Sequence, residues 1–299
     1  MSQVSIVVRT LNEEKYLDEL LSSIAGQRKI EPEVVVIDSG STDRTIEIAR
    51  QHGCKITNIE KKDFSFGRSL NKACEFASGD VLVFISGHCV PFDELWLLSL
   101  VDPILSGEVD YCYGRQVGRH PSKFSENQLF LKYYPAKSAI PQNGIFVNNA
   151  NAAISRDAWE KFLFDEELTG LEDMHLANRM VRTGGKVGYS AMSVVYHIHD
   201  ETWGQTRRRY ERESLALQKI MPEVQVGFFD TVRYIVLGVM HDCVAALRQG
   251  CLLRNFISIF SFRVAQYMGT YSGNNFHRQM SRRRKEAYFY PTGHVGEKI

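Results

Sequence analysis

The chain has no Cys-x-x-Cys pair, and its six cysteines (Cys54, Cys74, Cys89, Cys112, Cys243 and Cys251) are scattered. That spacing excludes zinc-ribbon and dithiol-redox patterns. Free thiols in or beside apolar runs fit a reducing compartment better than a disulfide scaffold. Long apolar runs are missing too: no uncharged stretch approaches the ~20 residues that a spanning helix needs. The opening MSQVSIVVRT lacks a basic segment ahead of an apolar one, so no signal peptide is expected. Net charge is only +1 over 299 residues, which excludes a globally basic nucleic-acid binder and a highly charged disordered chain. Internal repeats and low-complexity segments are absent. No G-x-G-x-x-G follows the first apolar run, which disfavours a simple dinucleotide-binding domain.

What is present is an ordinary globular composition, 44% hydrophobic and 24% charged, in a chain long enough for a substantial core. Basic residues gather locally, at Arg207-Arg208-Arg209 and Arg282-Arg283-Arg284-Lys285. In the first half two periodicities alternate. Val4–Val8 is a β-branched run; Tyr16, Leu17, Leu20, Leu21 and Ile24 then follow helical spacing. Glu33–Asp38 predicts a strand and Ser41–Gly53 a helix closed by glycine. CKITNIE, GRSLNKACEFAS and DVLVFIS continue as strand, helix, strand. Such alternation implies βαβ units and a mostly parallel sheet, whose ligands bind beyond the carboxyl ends of its strands.

From Asp110 the pattern loosens. YGRQVGRHPSKFSENQLFLKYYP is a poor strand and a partial helix. FVNNANAAISRDAW gives a strand and then a helix near Arg156, LEDMHLANRMVRTGG is a helix, and KVGYSAMSVVYHIHD contains a strand. After Met221 two further helices are expected. In the second, Leu252, Leu253, Phe256, Ile257, Phe260, Val264, Tyr267 and Met268 share one apolar stripe. The expected architecture is an α/β domain over residues 1–225 and a helical region over 226–299.

The turns after successive strands are RTLNEE, DSGSTDRT and SGHCVP. Each is polar, and Gly40 lets backbone approach a ligand closely. Taken singly, each is explained by helix capping. Taken together, VVRTLNEEKYLDELLSSI, VVVIDSGSTDRTIEIA and GRSLNKACEFASGDVLVFIS resemble the nucleotide-sugar half of inverting family 2 glycosyltransferases of the GT-A fold. ANAAISRDAW and GLEDMHLANRMVRTGGKVGY resemble their later segments, so the likeness runs from Val4 to about Tyr210.

The resemblance implies roles. Thr10, Asn12 and Glu13 would touch the donor nucleotide, and Asp38 would hold its base. Ser39 replaces the commoner second aspartate. Arg68 and Asn71 would close the pocket. ISGHCVP falls on the metal-binding D-x-D segment, so Ser86 and His88 stand where aspartates are usual, with Gly87 between them. His88 either ligates a divalent cation, manganese or magnesium, or meets the donor diphosphate directly. His197 and His199, two apart on one strand face, are candidates to complete that site. Without a cation, Arg207 to Arg209 are the alternative source of positive charge. No organic cofactor is implied.

Asp173 matches the family's catalytic base, with Glu172 orienting it or meeting acceptor. Acceptor contacts would fall to the irregular middle, Tyr134, Asn149 and Asn151 above all. The implied partners are a nucleotide-sugar donor and a glycan or lipid-linked acceptor, in the cytoplasm or peripherally on the inner membrane face. The C-terminal helices would serve membrane contact or homodimerisation. Two other readings stay open. One is a nucleotide-sugar or glycan binder that has lost activity, for which the altered D-x-D argues. The other is a sugar nucleotidyltransferase, against which the absence of a glycine-rich basic loop after the first strand argues.

Overall fold

A computed structural model describes residues 3–276. They divide into two compact units, one ending at Asp200 and the other beginning at Glu201. The first unit runs β1 (Val4–Thr10), α1 (Glu14–Ala25), β2 (Glu33–Asp38), α2 (Thr45–Gln51), β3 (Lys55–Asn58), α3 (Phe66–Phe76), β4 (Val81–Ser86), β5 (Cys89–Pro91), α4 (Trp96–Leu105), β6 (Tyr111–Gly118), α5 (Phe124–Tyr133), β7 (Asn151–Ser155), α6 (Arg156–Phe162), α7 (Glu172–Arg182) and β8 (Val187–His197). The eight strands form one sheet in the order β3-β2-β1-β4-β7-β6-β8-β5. The β3-β2-β1-β4 half is parallel, as is β6 with β8, whereas β7 and β5 run antiparallel to their neighbours.

Strand alternation builds the core. Val7, Val35, Ile37, Leu82 and Phe84 point to one face, against residues of α3, α6 and α7. Ile6, Val8, Val36, Val83 and Ile85 point to the other, against α1, α2 and α4. Each buried aliphatic side chain removes surface worth roughly 1.5–3 kcal/mol from water. That two-sided burial is why the strands read as near-continuous apolar runs. Because β1 pairs with both β2 and β4, their carboxyl ends lie side by side: Thr10 is opposite Asp38, and Arg9 is opposite both Ile37 and Ser86. This is the crevice where open α/β sheets hold ligands.

The second unit holds α8 (Trp203–Ile220), α9 (Phe228–Arg248) and α10 (Leu252–Asn274). Thr202 opens α8 with a capping box completed by Gln205. Gly269 and Gly273 let α10 lie against α8: a Cβ there would stand 2.3 Å from the Arg207 carbonyl oxygen and 2.1 Å from that of Glu211. Between α9 and α10, buried Asp242 receives Arg263 Nε and Nη2 at 2.7 and 2.8 Å.

Several sequence expectations change. The unit boundary precedes α8 rather than following it, at Asp200/Glu201, and α8 packs with α10 inside the second unit. Ser41 to Asp43 are drawn into loop hydrogen bonds, so α2 begins only at Thr45. β6 is a regular eight-residue strand with a bulge at Gly114/Arg115. On α10 the buried side is Ile259, Phe262, Arg263, Ala265 and Gln266, while Leu253, Phe256, Ile257 and Phe260 are exposed. The Arg282–Lys285 cluster lies outside the described residues.

Candidate active site

The two polar loops after β1 and β2 lock together. The Asp38 carboxylate accepts Gly40 N and Ser41 N at 2.8 Å each, Thr10 Oγ1 at 3.0 Å and Ser41 Oγ at 2.5 Å. Ser39 Oγ donates to the Thr10 carbonyl. Asn12, in the left-handed region at φ 57°, donates its N–H to Ser41 Oγ and accepts Thr42 N at 2.8 Å. Asn tolerates that conformation better than most residues. Thr10, Asn12, Asp38 and Ser39 therefore form one rigid rim. Glu13 caps nothing with its side chain; its carboxylate reaches His88 Nδ1 at 2.9 Å instead. Gly87 makes room for it, because a Cβ there would stand 2.8 Å from Glu13 Cγ.

His88, His197 and His199 come together. Cys89 and His197 are register partners between β5 and β8, and Ile198 N donates to the His88 carbonyl at 3.2 Å. The three side chains each offer a ligand atom within 4.8 Å of the others. Each Nδ1 is engaged from behind: His88 by Glu13, His197 by Gln116 Oε1 at 2.7 Å, His199 by Glu126 Oε1 at 2.6 Å. A carboxylate only accepts, so Nδ1 carries the proton in His88 and His199. Gln116 spends its amide N–H on Asn148 Oδ1 at 3.1 Å, leaving its oxygen to accept from His197. A proton so placed on Nδ1 leaves Nε2 as the nitrogen that can present a lone pair to a ligand. Oxygen acceptors behind imidazoles in this way are the usual support of a metal-bound histidine. Phe130 stacks on His197, with centroids 5.7 Å apart, as an apolar wall.

Ser86 N donates to the Ala150 carbonyl at 3.4 Å, bringing the chain before β7 to the end of β4. Asn149 N donates to Asp173 Oδ2 at 2.9 Å, and Met174 N to Oδ1 at 2.8 Å. Glu172 and Asp173 open α7, preceded by Leu171 at φ 55°, a left-handed conformation that costs a leucine about 1–3 kcal/mol. Asp173 is only 7% exposed. Burial, and then the charge of Glu172, push its carboxyl up to about 7, against the pull of the Asn149 and Met174 N–H groups and of Arg9. Arg9 Nη1 meets Glu172 Oε1 at 3.3 Å, and its guanidinium lies 4.7 Å over the Phe66 ring. Buried Asn149 accepts Tyr111 Oη on its side-chain oxygen, while its Nδ2 has no hydrogen-bond partner. One path of bonds thus runs from His197 through Gln116 and Asn148 to the neighbouring Asn149 and on to Asp173.

Five residues singled out from the sequence are engaged by other parts of the protein. Asn151 is wholly buried, accepting Trp96 Nε1 and donating to the Ser193 and Arg115 carbonyls, and so ties β7 to α4, β6 and β8. Asn71 accepts Trp159 Nε1 and Phe164 N and donates to Phe164 O and Glu166. All its capacity goes to holding α3 on the loop after α6. Arg68 pairs with Glu166 at 2.8 Å in the same cluster. Tyr134 is buried among Tyr113, Phe130 and Phe146, and the exposed ring is that of Tyr133. Arg209 is paired with Glu201. Arg9, Gln116, Glu126 and Tyr111 carry no motif; only the acid in the first turn of α5 hinted at Glu126.

Comparison with known proteins follows the same outline. Residues 5–163 match the model of the family described as glycosyl transferase family 2. The O-antigen chain rhamnosyltransferase RfbN of Salmonella typhimurium is 28% identical over 222 residues, which are 70% of this chain and 70% of that protein. The poly(ribitol-phosphate) beta-N-acetylglucosaminyltransferase TarS of Staphylococcus aureus is 37% identical over 275 residues, 88% of this chain but 45% of that protein. This chain therefore spans less than half the length of the second relative. Among solved structures, the mannosyltransferase PcManGT from Pyrobaculum calidifontis, in complex with GDP-Man and Mn2+, superposes with a TM-score of 0.64 at 17% identity, covering 91% of this chain and 87% of that one. TarS residues 1–349 with UDP-GlcNAc give 0.55 at 17% identity over 93% and 92%. At these identities the likeness establishes a shared fold.

Proposed function

The chain belongs to glycosyl transferase family 2 and has the GT-A fold, and from that premise we propose that it moves a sugar, with inversion, from a nucleoside-diphosphate donor to a hydroxyl of a glycan or lipid-linked acceptor in surface-glycan assembly. The relatives named above support the pathway, being transferases of O-antigen and poly(ribitol-phosphate) chains. The observation that carries the reading is Asp173. It is a nearly buried carboxylate whose ionisation is brought to about 7 and whose oxygens are fixed by two backbone N–H groups, one of them from the loop that ends beside Ser86. A base poised near neutrality is what a hydroxyl nucleophile requires.

In the proposed reaction the Asp173 carboxylate takes the acceptor hydroxyl proton. The oxygen bonds to the anomeric carbon from the side opposite the diphosphate, and the bond to the diphosphate breaks with its electron pair on the departing oxygen. Glu172, held by Arg9, keeps a second negative charge beside the base and raises its proton affinity. The rim of Thr10, Asn12, Asp38 and Ser39 receives the nucleoside. Asn149, through its unpartnered Nδ2, offers a donor to a sugar hydroxyl beside the base. His88, His197 and His199 are the proposed holders of a divalent cation, and the all-imidazole donor set backed by Glu13, Gln116 and Glu126 suits manganese better than magnesium. Bound there, the cation would supply positive charge to the leaving diphosphate.

The test is donor turnover. The protein is incubated with uridine-, guanosine-, thymidine- and cytidine-diphosphate sugars, with and without manganese. Nucleoside diphosphate release is measured, and the anomeric configuration of the product is read by NMR. Release that depends on Asp173, with inverted configuration, is expected. No release from any donor, or retained configuration, would overturn the proposal.

A further inference from the structure

The second unit carries a face that transfer chemistry does not use. On α9 the side chains of Phe229, Val236, Met240 and Leu247 recur at helical spacing and are exposed. On α10, Leu253 and Ile257 are 97% and 78% exposed. Leu247 and Leu253 flank the short turn between the two helices, so the tip of the hairpin is apolar on both sides. Large apolar side chains left in water over two helices mark a surface with a partner.

Charge identifies that partner. From Thr231 to Phe276 the only acidic residue is Asp242, and it is buried and paired with Arg263. Arg233, Arg248 and Arg254 are exposed, the last two next to Leu247 and Leu253. A second copy of the same face would set arginine against arginine. The chain's own residues 277–299 carry six Lys and Arg (Arg278, Arg282, Arg283, Arg284, Lys285 and Lys298) against two acids, Glu286 and Glu297, so their net charge does not complement the face. Among the described residues no helix is long and apolar enough to cross a membrane. The one exposed acid on α9 is Asp230, in its first turn beside Phe229 and at the far end of the helix from the hairpin tip. Around the tip, apolar side chains flanked by arginine with no exposed acid are the composition of an interfacial segment whose leucines enter the headgroup region while arginines meet lipid phosphates.

We propose that the α9–α10 hairpin docks in the plane of an anionic phospholipid surface, with Leu247, Leu253 and Ile257 entering it and Arg248 and Arg254 pairing with headgroups. This goes beyond the transfer reaction and does not depend on it.

The test is co-sedimentation of the full chain with vesicles of phosphatidylcholine alone or with a third phosphatidylglycerol. Binding to the anionic vesicles is expected, weakened by 0.5 M salt, and at least about tenfold weaker to the neutral ones. Leu253→Ser with Ile257→Ser, and separately Arg248→Glu with Arg254→Glu, should each lower it about tenfold or more, with circular dichroism unchanged because the side chains are exposed. A control replaces Arg282, Arg283 and Arg284 by serine. Vesicle binding that vanishes in this control but survives both hairpin variants would overturn the proposal. So would absence of binding to anionic vesicles, or light scattering that shows a dimer dissociated by the leucine–isoleucine variant in a chain that ignores lipid.

Discussion

The ring of His88 lies stacked on that of His197, with centroids 5.2 Å apart, because the three-residue strand β5 pairs with the end of β8 directly after His88. That pairing brings the position usually held by an acidic metal ligand to two late histidines. Glu13, Gln116 and Glu126 stand behind the three rings, each from a different element. An arrangement assembled from five separate stretches of chain can be tested at the rings and behind them independently.

For the rings, His88→Ala should weaken manganese binding in the presence of nucleoside diphosphate by about 100-fold or more. Glu126→Gln, which leaves all three imidazoles in place, should weaken it about 10- to 100-fold. Isothermal titration with manganese reads both directly. Unchanged affinity in the two variants would remove the cation from the histidine site.

Asp173→Asn should leave nucleoside-diphosphate affinity within about threefold and lower transfer by about 100-fold or more. In the wild type the rate should fall about tenfold per pH unit below about 7, where the buried carboxylate becomes protonated. A pH profile flat from 5 to 8 at limiting donor, or a variant with near-normal turnover, would contradict the role of base.

The same substitution should stabilise the fold in alkaline buffer. Below about pH 4 Asp173 is protonated in folded and unfolded chains alike and contributes nothing. Between about 4 and 7 the unfolded chain loses this proton and the folded chain keeps it, so stability falls as pH rises. Asp173→Asn removes that penalty. Its advantage should grow from pH 4 to 7 and level off above, reaching about 4 kcal/mol for a carboxyl raised by about three pH units. Urea unfolding at pH 5 and pH 8 measures it; equal advantages at both would show that Asp173 is not held protonated.

Much of this was legible in the sequence where local rules act. β1, β2 and β4 are apolar runs because both sheet faces are covered, and the helical spacing from Tyr16 to Ile24 marks the buried side of α1. Asp38, His88, His197, His199 and Asp173 follow strand ends or open a helix, and the topology delivers them. What was hidden depends on distant partners. Gln116 and Glu126 matter only because β6 and α5 pass behind β8. Asn151 looked like a loop amide free to meet sugar, but Trp96 from α4, which the sequence did not foretell, consumes it. On α10 the more hydrophobic stripe is the exposed one, because Gly269, Gly273 and Arg263 decide the packing side through backbone approach and the Asp242 pair.

Asn151→Ala should therefore act on stability and not on specificity. It strands Trp96 Nε1 and two strand carbonyls in the core, which should cost about 2–4 kcal/mol. Acceptor KM measured at 20 °C should stay within about twofold. An acceptor KM raised tenfold with normal stability would restore the sugar-binding role.

Arg9 offers the sharpest test of how the base is tuned. It bonds Glu172, lies over Phe66, and its positive charge lowers the proton affinity of Asp173, while Glu172 raises it. Arg9→Gln should therefore move the acid limb of the transfer profile to higher pH by about one unit. At pH 6.5 the variant should be about tenfold slow, and at pH 9 it should approach the wild type. Arg9→Lys keeps the charge and should keep the limb near its original position, though the lysine cannot reproduce the stacking on Phe66. A merely structural arginine would give a different result: turnover would fall by the same factor at every pH, the limb would stay where it is, and the lysine variant would be no better than the glutamine one.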